Sequence, residues 1–113
     1  MELYDELMSK IKQLEYSVKQ LRVLGTALAE SERDYKVLLR QEVLKLRDEG
    51  QAVGIIEKIC YGIPSVAEAR FKRDVAEAVY NACQESINSL KLQMRIIEGQ
   101  IQREYGMSGK GDI

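Results

Sequence analysis

Apolar residues recur along this chain at alternating steps of three and four, in two separate runs. The first is Tyr4, Leu7, Ile11, Leu14, Val18 and Leu21; the second is Tyr80, Cys83, Ile87, Leu90, Met94, Ile97 and Ile101. That spacing keeps every member on one face of an α-helix, and repeats of this length make a coiled-coil-like seam. The pattern predicts a first helix over residues 3–49, ended by Gly50, a common stop signal. At ~1.5 Å per residue such a helix is about 70 Å long. A connector over 50–64 should hold a short helix with Ile55, Ile56 and Ile59 on one side, broken by Gly62, Ile63 and Pro64. Ser65 followed three residues later by Glu68 reads as a capping box, so a second long helix is expected over 65–105. Residues 106–113 carry Gly106, Gly109 and Gly111 and are expected to be a flexible tail.

The expected fold is therefore all-α: a long antiparallel helical hairpin with a short connecting helix, occupying residues 1–105 as one domain. Folding back sets Tyr4 beside Glu104, Leu21 near Ile87, and Gly25 near Cys83 and Tyr80. Glycine inside a helix costs ~1 kcal/mol against alanine, so its place on the seam suggests that it makes room for the Tyr80 ring. Continuing the first seam through Leu28 reaches Glu32, and continuing the second backward through Ala76 reaches Arg73. An ion pair between Glu32 and Arg73, with Tyr35 next to it, is expected there. It reads either as a register lock, since a buried charge left alone is costly, or as a ligand-binding polar layer.

A second set of apolar positions has no place in that seam. Val23, Val37 and Leu44 fall on the back of the first helix, with Leu24 and Leu38 beside them. Val75, Val79, Ala82, Ser86, Ser89, Leu92, Ile96 and Gly99 make another, mostly small-residue stripe on the second. One hairpin does not cover both stripes, so self-association is expected, most simply two hairpins in a four-helix bundle. Dimer and higher assembly are both open.

Composition narrows the function. With 113 residues there is room for one core, and charged residues at 31% nearly cancel to a net charge of −1, which gives no mandate for nucleic acid or an anionic membrane. The chain has no apolar run of the ~20 residues that span a bilayer and no signal-peptide pattern, so a cytoplasmic protein that does not engage membranes is expected. Cys60 and Cys83 lack a C-x-x-C neighbour and read as small buried hydrophobes. Histidine is absent, which removes the commonest general base and metal ligand. Phosphate loops are missing, and the paired E-x-x-E turns of helical nucleotide pyrophosphohydrolases do not occur. No catalytic residue, metal or cofactor is expected, and the chain reads as a non-enzyme. A helix-turn-helix around Gly62 is disfavoured by Lys58 and Glu68 at positions that should be small or apolar, and by Pro64.

Two binding surfaces are left. Ile55, Ile56, Ile59 and Tyr61 on the connector read either as a partner-binding surface or as a small core closing the hairpin end. Arg33, Lys36, Arg40, Arg70, Lys72 and Arg73 gather near the middle of the hairpin and form a candidate phosphate-binding patch for single-stranded nucleic acid or a nucleotide. Glu32, Asp34, Glu68 and Asp74 are interleaved with them, as on an ordinary solvated helix surface.

Residues from about Ala29 to Tyr105, notably AESERDYKVLLRQEVLKLRDEG and VAEARFKRDVAEAVYNACQESINSLKLQMRIIEGQIQREYG, resemble a group of small uncharacterised early-region proteins of phages and prophages of Gram-positive bacteria. The resemblance carries over no functional residue. It implies a setting, the cytoplasm of a bacterial host, where such proteins bind a host or defence component or assist replication and recombination. The expected function is an accessory protein acting by protein-protein binding, of host-factor or anti-defence type, as a self-associated bundle. The alternative is a nucleic-acid or nucleotide binder using the basic patch.

Overall fold

The computed structural model describes residues 2–111, with side chains described for 2–106. Three α-helices follow in order: α1 (Glu2–Asp48), α2 (Val53–Ile59), and, after one 3-10 turn (Cys60–Gly62), α3 (Pro64–Gly111). Helices α1 and α3 pack against each other as a hairpin, and the described residues contain no strand. None of the helices among the described residues is long and apolar enough to cross a membrane.

Gly50 closes α1 by a Schellman arrangement. Its φ of +85° is the left-handed conformation that glycine adopts without a Cβ penalty. The Gly50 N–H donates to Arg47 O at 3.0 Å and the Gln51 N–H to Leu46 O at 3.1 Å, satisfying carbonyls that the helix end leaves open.

The start of α3 differs from the expected capping box. Pro64 is the first helical residue, preceded by Ile63 in extended conformation (φ −63°, ψ 127°), and the first helical bond runs from Ala67 N–H to Ile63 O at 2.8 Å. Ser65 thus lies inside the helix and does not cap it. The physical reason is that proline lacks the N–H that the first turn would leave unsatisfied anyway, and its fixed φ suits that position. At the other end α3 continues past the expected stop at Tyr105 to Gly111. Its glycines are penalised by ~1 kcal/mol each but are not barred from a helix. The expected flexible tail over 106–113 ends on residues 112 and 113, outside those described.

The chain divides into two units, residues 1–22 with 82–113, and residues 23–81. In the first unit the expected seam is present. Leu7, Ile11, Leu14, Val18 and Leu21 are half-buried on α1 against Ile87, Leu90 and Ile97, which are buried on α3. The Cys83 thiol donates to the Ser17 carbonyl at 3.5 Å, which ties the two helices at a seam position. Tyr4 stays 53% exposed and shares a hollow with Ile101, Glu104 and Tyr105, in the expected register. Leu92 and Ile96 face solvent on α3.

The second unit contains the reversal. Ile56, Cys60 and Val66 are buried at its base, and Tyr35 is the buried residue of α1. Burying side chains such as Ile56 and Val66 stabilises by about 1.5–3 kcal/mol each, which fixes the connector onto the two long helices. A Cβ on Gly25 would stand 3.3 Å from Cε2 of Tyr80, so this glycine does give the ring its place. Val23, Val37, Leu44, Val75 and Val79 are exposed, as expected for positions outside the seam.

Candidate functional site

The expected Glu32–Arg73 ion pair is not formed. Glu32 is exposed, and Arg73 lies with its guanidinium carbon 4.7 Å from the centroid of the Tyr35 ring while Nη2 bonds Asp74 Oδ1 at 2.8 Å. Among the described residues no polar or charged side chain is buried, so the seam holds neither a charge lock nor a polar ligand layer. The reason is position: Tyr35, not Glu32, takes the buried place on α1, and the ring together with the neighbouring Asp74 already engages Arg73, which keeps 24% of its side chain in solvent. The hydrogen bond to Asp74 raises the Arg73 pKa further above its usual high value, so the cation persists at any working pH. Arg73→Leu is accordingly expected to lower stability slightly, through loss of the ring contact. It should do so equally with Glu32 intact or replaced by Gln, as read from denaturant melts of the single and double variants. A dependence on Glu32 would reinstate the pair.

The other basic residues are scattered in role. Arg33 bonds Asp34 through Nε at 3.2 Å and Nη2 at 3.1 Å. Arg70 sits 5.5 Å from the centroid of the Tyr61 ring. Lys36, Arg40 and Lys72 are exposed. Lys72 lines a shallow cleft with Asp34, Glu68, Ser31 and Ser65, where two carboxylates outweigh it. Three of the six expected phosphate ligands thus already have a carboxylate or a ring against them.

The four connector residues are also divided. Consecutive residues of a helix point ~100° apart, so Ile55 and Ile56 do not share a side. Ile56 is buried, whereas Ile55 at 48%, Ile59 at 41% and Tyr61 at 47% remain in solvent. Ile55 and Ile59, four apart, make one exposed apolar face of α2. The opposite flank of α2 forms a groove of about 270 Å3 with α1, lined by Leu39, Val43 and Arg47 on one wall and Val53, Ile56, Glu57, Cys60 and Tyr61 on the other. Small-molecule sites usually enclose ~300–1,000 Å3, so this groove suits a few side chains offered by another chain better than a free ligand.

The wall contributed by α1 escaped the sequence reading. Its signal was available: Lys36, Arg40, Val43 and Arg47 repeat the 4-3-4 step and mark one edge of the helix. Cys60, read as a small buried hydrophobe, is 3% exposed at the floor of the groove, with its thiol 3.8 Å from the Glu57 carbonyl. Among the described residues no three His, Cys, Asp or Glu side chains gather so as to hold a metal ion. No family model, curated protein or solved structure matches the chain.

Proposed function

We propose that this chain is a non-enzymatic accessory protein that acts by binding another protein. The observation that carries the reading is the connector, where Ile55, Ile59 and Tyr61 stand in solvent on a base anchored by buried Ile56, Cys60 and Val66. Large apolar side chains held outward on a fixed support are what a recognition surface needs, because little ordering entropy is lost when they are covered. The phage or prophage setting, the bacterial host cytoplasm and a host or defence protein as the partner rest on the resemblance of the 29–105 segment. Self-association rests on the exposed Val23, Val37, Leu44, Val75 and Val79. The nucleic-acid reading has less support, since Arg33, Arg70 and Arg73 are engaged within the chain.

A photo-crosslinking amino acid placed at Ile55 or Ile59 in the full chain, expressed in a Gram-positive bacterium, tests this. The expected result is one protein adduct common to both positions that persists, with at most a modest loss, as salt rises. A phosphate-driven complex would weaken by orders of magnitude between about 50 and 200 mM salt. Adducts to nucleic acid alone, or none at either position, would discard the reading.

A further inference from the structure

We infer that the groove between α1 and α2 receives an acidic amphipathic helix of a partner protein. The inference rests on the protein-binding reading and names the chemistry of the partner.

Two features decide the occupant. The groove is apolar between its rims, with Leu39, Val43, Val53, Ile56 and Cys60 presenting aliphatic and sulfur surface. A helix laid in such a groove inserts residues at i, i+3, i+4 and i+7, and the walls are helical, α1 on one side and α2 with its 3-10 turn on the other. The rims are unequally charged. On the α1 side Arg47 lines the groove, and Lys36 and Arg40 precede it on the same exposed edge of the helix, with Glu32 one turn before Lys36. At the far end of the other wall Arg70 lies over Tyr61, which is itself a lining residue. Of these cations Arg47 alone lines the groove, where Glu57 is the one carboxylate, so the positive excess comes from the Lys36 and Arg40 edge beside it and from Arg70 over Tyr61. A helix with an apolar face and flanking glutamates or aspartates meets both features, whereas a basic helix meets like charge along the α1 edge. A nucleic acid strand would answer the cations but leave the aliphatic lining without a partner.

The test uses two synthetic helical peptides with the same leucine face, one bearing glutamates on the remaining positions and its twin bearing lysines, titrated by fluorescence anisotropy into the full-length protein. The glutamate peptide should bind at least about tenfold more tightly than the lysine twin. Arg40→Glu with Arg47→Glu, both at exposed positions, should reverse that preference. Val53→Asp, at a lining residue 63% exposed, should weaken the glutamate peptide about tenfold without changing the melting of the protein. Circular dichroism of each variant confirms that it is folded. Equal binding of the two peptides, binding of neither, indifference to the charge reversal, or a single-stranded oligonucleotide that displaces the glutamate peptide would each overturn the inference. Failure here with a surviving salt-resistant adduct at Ile55 and Ile59 removes only the groove; loss of that adduct removes the broader reading as well.

Discussion

Val66→Asp is expected to unfold the second unit. Val66 has no solvent exposure and sits where α2, the 3-10 turn and the start of α3 converge. A carboxylate in its place also gains something, because the third residue of a helix lies in the positive field of the N-terminus, worth about 0.3–1 kcal/mol. An unpaired buried charge costs about 3–5 kcal/mol, so burial wins. Against a total stability on the order of 5–15 kcal/mol the loss takes a large share of the folded state. Urea titration followed by far-ultraviolet circular dichroism measures it. Val75→Asp is the companion: Val75 is 45% exposed, and its replacement should stay within about 0.5 kcal/mol in an isolated chain. A midpoint that falls for Val75→Asp and depends on protein concentration would place a second copy over that stripe. A Val66→Asp protein as stable as its parent would mean that the base of the connector is not a packed core.

The second large effect is expected at Gly25. Adding a methyl there exchanges a helix gain of ~1 kcal/mol for a contact at 3.3 Å with the Tyr80 ring, and the two nearly offset each other in Gly25→Ala. Gly25→Leu has no such balance. The side chain must displace the ring, which costs about 1–3 kcal/mol in a seam with no slack. Combined with Tyr80→Ala, the leucine enters the space that the ring vacates, so the double variant should be less destabilised than the two single changes together. Simple additivity would show that residue 25 and residue 80 do not share that space.

The parts of this fold that were legible in the sequence are those set by many residues at once. A seam of six or seven apolar positions averages over errors at any one of them, and Gly25 announced its ring because a glycine on a seam is an expense that needs a reason. Local features were harder. Ser65 and Glu68 spell a capping box, but Pro64 already serves as the first residue of α3, the one place in a helix where a missing N–H does no harm. Ile55, Ile56 and Ile59 were grouped by hydrophobicity, although adjacent positions of a helix diverge by ~100°, which leaves Ile56 inward and its neighbours outward. The Glu32–Arg73 pair failed for a reason of position. Opposite charges in register invite pairing, but Glu32 lies outside the buried face, and the Tyr35 ring with the adjacent Asp74 engages Arg73 first. The groove was the least visible element, because one wall belongs to the long helix and the other to a seven-residue one.

The bend of the second unit is written into a few neighbouring residues: Gly50 and Gln51 capping the four residues before them, and Pro64 opening the segment after. Chain reversal therefore relies on neighbouring residues and on the short-range packing of Ile56 and Val66 while the long arms find each other. Once the short excursion between them is closed, every further rung brings its successors within reach, and the entropic toll of joining remote residues is met near the start rather than at each step. In this unit folding is expected to run outward from the bend, like a zip drawn from its closed end.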